Sequence, residues 1–223
     1  MALSIIQVRD AITRNDSIDH YIFFALAHGQ YLVINAIAKS ESPSKAEEAE
    51  AILHRMRKAY ADGNLDAKPN TRTLSTILNA CAYTDGNERE KMAAFKVSRR
   101  VFKEVLGGDS GNPNQIVFAT FLKCCTLVPA GSKRDELVES IFHDCCKRGF
   151  VDLKVIVNLR RLLSPTTLQK LLEGTVLARG MVRIEDIPSE WTINLHNRDV
   201  PHRHKRAQPR RNIISGSRRN SDR

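Results

Sequence analysis

Apolar residues along this chain recur with the period of a helix that buries one face. Leu74, Ile77, Leu78 and Cys81 fall at i, i+3, i+4 and i+7, and Phe118, Phe121, Leu122 and Cys125 repeat those offsets. A second apolar run follows each first one: Ala49, Ile52, Leu53 and Met56, then Val97, Val101, Phe102 and Val105, then Val138, Ile141, Phe142 and Cys145. Between the runs lie polar or helix-breaking stretches, Ser40 to Ser44, Thr84 to Asn87 and Pro129 to Lys133. The pattern predicts units of helix, turn, helix.

The units are related by a step of 44 residues, which carries Ile34-Asn35-Ala36 onto Leu78-Asn79-Ala80 and then onto Leu122-Lys123-Cys124. The same step carries Lys68-Pro69-Asn70 onto Asn112-Pro113-Asn114, where proline disfavours helix in the residue before it and separates one hairpin from the next. One hairpin cannot bury its apolar face alone, so neighbours must stack to make a core. Leu153 to Leu163 reads as a further helical run, and Ser164-Pro165 as an N-cap with proline in the first helical position before Leu168, Leu171 and Leu172. The expected fold is all-α, an α-solenoid of stacked antiparallel helix hairpins. Residues 1–30 form a divergent N-terminal segment or cap, 31–152 three hairpins, 153–195 C-terminal capping helices and 196–223 a disordered basic tail.

With 42% hydrophobic residues the 223-residue chain can build a continuous core. The tail from His196 holds nine Lys/Arg against two acids, so most of the formal +10 charge belongs to it. Such a tail attracts phosphates without reading sequence. Arg203, Lys205, Arg206, Arg210 and Arg211 are its main cations, and they also fit a nuclear import signal. Five cysteines without a secretory signal point to a reducing compartment. The most apolar stretch, Ile18 to Ala38, is broken by Asp19, His20, His28, Gln30 and Asn35, so no membrane insertion is expected.

From Lys68 to Ala82 the chain reads Lys-Pro-Asn-Thr-Arg-Thr-Leu-Ser-Thr-Ile-Leu-Asn-Ala-Cys-Ala, and Lys45 to Met56 and Cys145 to Gly149 supply a matching second helix and close. Over roughly Gln30 to Gly174 these segments resemble the pentatricopeptide repeat family, and Ile187 to Asn194 looks like the C-terminal segment of its long-repeat members. The units here are longer than the family's. Phe118 stands where the family has an aromatic, and Leu74 departs from it. The resemblance implies binding of single-stranded RNA, one base being read by a polar residue of the first helix with the last residue of the unit. Carried over, the best pair is Ser75 with Asn114; Tyr31 with Asn70 and Ala119 with Asp152 are not recognisable readers. The resemblance also implies a mitochondrial or plastid address; otherwise the chain is cytoplasmic or nuclear.

Bland readings stand beside these. Asn70 and Asn114 fit RNA contacts or helix-capping turn asparagines, Ser75 a base reader or a solvent-facing serine, and Arg72, Thr76 and Lys123 phosphate contacts or a solvated face. Cys124-Cys125 and Cys145-Cys146 near His143 have the right atoms for zinc, but adjacent helical cysteines diverge by about 100°, which favours core packing. Trp191 fits as packing for the last hairpin or as a base stacker. There is no phosphate loop, nucleophile elbow or metal-spaced His-Glu motif, so neither enzyme activity nor a cofactor or metal is expected. A monomer binding single-stranded RNA is the leading expectation. The alternative is a protein-binding scaffold of the tetratricopeptide kind, distinguished by an apolar inner groove in place of a polar stripe.

Overall fold

The computed structural model describes residues 30–108, 110–172 and 183–195, which hold eight α-helices and no strand. Most of the divergent N-terminal segment, and the basic tail with Arg203, Lys205, Arg206, Arg210 and Arg211, lie outside the described residues. The helices are α1 (Gln30–Lys39), α2 (Lys45–Ala61), α3 (Thr71–Ala82), α4 (Glu88–Gly107), α5 (Gln115–Cys124), α6 (Ser132–Lys147), α7 (Leu153–Leu162) and α8 (Pro165–Leu171).

Their starts follow from local chemistry. The first amides of a helix have no intrahelical acceptor, and a side-chain oxygen just before the helix can take one of them. Asn70, Asn114 and Asp152 do this for α3, α5 and α7, accepting from the N–H of Thr73 at 3.0 Å, Val117 at 3.1 Å and Val155 at 2.8 Å. Asn87 and Glu90 close a reciprocal capping box on α4. Ser164 caps α8 with Pro165 in its first turn, as the sequence predicts. At the far end of α4, Gly108 takes the left-handed backbone, φ +84°, and stops the helix.

The apolar offsets become one continuous core. Leu74, Ile77, Leu78 and Cys81 of α3 and Phe118, Phe121, Leu122 and Cys125 at and after α5 are all buried. So are Ile52, Leu53 and Met56 of α2, Val97, Val101, Phe102 and Val105 of α4, and Val138, Ile141, Phe142 and Cys145 of α6. Helices α1, α3, α5 and α7 pack in series, and α2, α4, α6 and α8 each pack on the helix preceding them. At the centre Phe102 stacks on Phe121, 4.0 Å between ring centroids and 7° between planes, and meets Phe118 edge-on at 5.5 Å. Polar bonds also join successive helices: the buried Asn158 side chain donates to the Ala119 carbonyl at 2.7 Å, fastening α7 to α5.

Cys81, Cys124, Cys125 and Cys145 are buried free thiols and Cys146 is half-buried. Burial pushes Cys81, Cys125 and Cys146 from 9.0 up to about 12. Thiols held protonated in this way are poor metal ligands and poor nucleophiles.

The C-terminal stretch, residues 183–195, closes over the third hairpin. Trp191 meets Phe142 edge-on at 5.4 Å, so it packs on that hairpin, and its carbonyl accepts the Val151 N–H at 2.9 Å. The Asn194 N–H donates to the Gly149 carbonyl at 3.0 Å, and its side chain to the Arg148 carbonyl, also at 3.0 Å. Gly149 has φ +65°, and a Cβ there would run into Ile193. Gly149→Ala is therefore expected to destabilise the fold by at least the ~1–2 kcal/mol of a left-handed alanine, plus the displacement of Ile193. Thermal unfolding of the variant against the parent measures this, and an unchanged midpoint contradicts it.

Candidate nucleic-acid groove on the first helices

The stripe of α3 opposite its core face runs Ser75, Asn79, Tyr83 at steps of four, so the three side chains share one face. The 44-residue step puts Ala119 and Lys123 of α5 in register with Ser75 and Asn79, and Asn35 and Lys39 of α1 in register with Asn79 and Tyr83. Because α3, α5 and α7 pack in series, these stripes lie side by side. They border a groove of about 400 Å³ lined by Asn79 and Tyr83 of α3 and its end, Ile116, Ala119, Thr120 and Lys123 of α5, and Leu153, Lys154, Val157, Asn158 and Arg161 of α7.

Its chemistry is one-sided. Lys123, Lys154 and Arg161 bring three cations, and none of the described residues lining the groove is acidic. Tyr83 is 54% exposed, although aromatic side chains usually gain from burial, and the Lys123 ammonium sits 3.1 Å from its ring centroid. Lys123, by hydrogen bonding and by charge, then Lys154 and Arg161 by charge, hold the Tyr83 phenol below its ordinary 10.0. The groove is thus a positive field centred on an aromatic ring. Ile116 at 51% exposure and Val157 at 46% add apolar surface beside it.

The residues singled out in the sequence divide around this groove. Lys123 lines it. Arg72 is exposed on the first turn of α3 but is not among the lining residues. Ser75 is half-buried one turn further in, its hydroxyl donating to the Thr71 carbonyl at 2.7 Å, and Thr76 is buried and donates to the Arg72 carbonyl at 2.9 Å. Asn70 and Asn114 accept helix-start N–H groups with their side-chain oxygens, and no hydrogen bond links Ser75 to Asn114. Sequence reasoning missed Asn79, Tyr83, Lys154 and Arg161. Asn79 and Tyr83 were within reach, since steps of four from Ser75 lead to both; Lys154 and Arg161 join only because α7 packs on α5.

Among the described residues no group of three or more His, Cys, Asp or Glu is placed to hold a metal ion, and no helix is long and apolar enough to cross a membrane. Compared with protein-family models, curated proteins and solved structures, the chain has no match.

Proposed function

We propose that the chain is an α-solenoid of stacked helix hairpins that binds single-stranded RNA along the groove of its first helices, with the basic tail adding phosphate contacts. The observation that carries this reading is the exposed Tyr83 in a groove that Lys123, Lys154 and Arg161 also line, with no acidic residue among the described residues lining it. A single strand offers what such a surface lacks: flat apolar bases to cover Tyr83, Ile116 and Val157, and phosphates to neutralise the cations. A duplex keeps its bases stacked inside and offers the ring nothing. The pentatricopeptide resemblance supports the same ligand, and with it an organelle as the place of action. Asn79, exposed and lining the groove with Tyr83, supports a hydrogen bond to a base edge beside the ring.

Exposed Ile116, Leu153 and Val157 favour a second reading, in which the groove holds a peptide as tetratricopeptide arrays do. The two separate experimentally. Stacking of one base on an aromatic is worth about 1–3 kcal/mol by alanine substitution, so Tyr83→Ala is expected to raise the Kd for a labelled oligouridine about 5- to 150-fold. Fluorescence anisotropy on both proteins tests this. An unchanged Kd removes Tyr83 from the RNA site, and tighter binding of an acidic peptide than of the oligouridine favours the scaffold.

A further inference from the structure

The first helices share a register set by their capping residues. Asn70, Asn114 and Asp152 cap α3, α5 and α7, and nine residues after each stand Asn79, Lys123 and Arg161. The 44-residue step adds Asn35 of α1 to this row. Across the four helices the row therefore reads amide, amide, cation, cation. Two residues after the caps stand Arg72, Ile116 and Lys154, of which Ile116 and Lys154 line the groove. The groove's three cations thus all come from α5 and α7, and α7 is the last first helix among the described residues.

These cations are not neutralised by the fold around them. On the second helices Arg100 pairs with Glu50, at nitrogen–oxygen distances of 2.8 and 2.6 Å, and Arg57 pairs with Glu104. Among the described residues no ion pair engages Lys123, Lys154 or Arg161. All three act on the Tyr83 phenol, Lys123 by hydrogen bonding and charge and the other two by charge, so their fields meet beside the ring. At about 400 Å³ the groove lies near the lower bound of the roughly 300–1,000 Å³ usual for a ligand site, the size of about one nucleotide. A nucleotide inside a strand brings one phosphodiester charge. A terminal phosphate brings about 1.5 to 2 negative charges at pH 7 and three acceptor oxygens. Three cations around the space of one nucleotide suit the terminal phosphate.

We propose that the groove receives a phosphorylated end of a single strand, with the terminal base on Tyr83 and its phosphomonoester among Lys123, Lys154 and Arg161. The Arg161 guanidinium offers two parallel N–H donors to two phosphate oxygens, and the lysines add compact positive charge. From there the strand continues past the amides of Asn79 and Asn35 toward α1. This inference rests on the RNA reading and narrows it from any stretch of single strand to a strand end. A 5′- and a 3′-phosphate present the same chemistry, and the experiment separates them.

The test uses the intact chain and three internally labelled oligouridines of one length, carrying a 5′-phosphate, a 3′-phosphate, or hydroxyls at both ends. By fluorescence anisotropy at 0.1 M salt, at least one phosphorylated strand is expected to bind about fivefold tighter than the hydroxyl strand, the weight of one further charge neutralised. Lys154→Gln with Arg161→Gln should bring that ratio close to one. Both side chains are exposed, so thermal unfolding of the double variant should match the parent. Equal binding of the three strands overturns the end-binding proposal and leaves the RNA reading standing, whereas absence of binding by all three overturns both. A preference that survives the double variant arises outside the groove and overturns the proposal too.

Discussion

A chain carrying Lys123→Glu, Lys154→Glu and Arg161→Glu together is expected to bind a single-stranded RNA about 100-fold more weakly than the parent at 0.1 M salt. The logarithm of affinity for a single strand falls with the logarithm of salt by about 0.7 per phosphate neutralised, so each contact is worth about fivefold at 0.1 M relative to 1 M, and three about 100-fold. Reversal adds repulsion, so this is a lower bound. The accompanying signature is a salt slope shallower by about two. The three side chains lie at a groove rather than in the core and the fold should survive; unchanged thermal unfolding checks this. A loss of affinity with no change in slope contradicts phosphate contact by these residues. Deleting residues 196–223 separates the tail's share, since a groove contribution persists in the truncated chain.

Phe121→Ala is expected to destabilise the fold by about 3–5 kcal/mol, the usual loss for a buried phenylalanine whose neighbours cannot collapse into the space. Phe121 is 2% exposed, stacks on Phe102 at 4.0 Å and lies 6.5 Å from Phe95, joining the second hairpin's outer helix to the third hairpin's first. Its loss acts on the junction between hairpins, so unfolding should also become less cooperative, because stacked repeats are held together by nearest-neighbour interfaces. Urea titration measures both: a lower midpoint and a smaller m-value. A stability change below about 1 kcal/mol contradicts the placement of this ring at the centre of the core.

The helices were legible in the sequence wherever period and punctuation agreed. Leu74 to Cys81 and Phe118 to Cys125 carry both, with Pro69-Asn70 and Pro113-Asn114 before them, and α3 and α5 begin right after those asparagines. The same asparagines cap α3 and α5 through their side-chain oxygens. An oxygen that accepts a backbone N–H at the head of a helix is engaged in the fold, and nothing in the letter Asn separates that use from base reading. The groove depends on which helices lie side by side. Lys154 and Arg161 reach Tyr83 through the packing of α7 on α5, a long-range contact that periodicity within either helix does not contain. Tyr83 ends α3 on its polar stripe, where an exposed aromatic reads in a sequence as ordinary surface.

The most direct measurement is photocrosslinking of a 4-thiouridine single-stranded RNA to the intact chain, with the linked peptide identified by mass spectrometry. Binding in the first-helix groove predicts adducts on the stretch around Asn79 and Tyr83 and on α5 and α7 near Lys123 and Arg161, lost in the Tyr83→Ala chain. Adducts confined to residues 196–223, or on α4 and α6 alone, would contradict it.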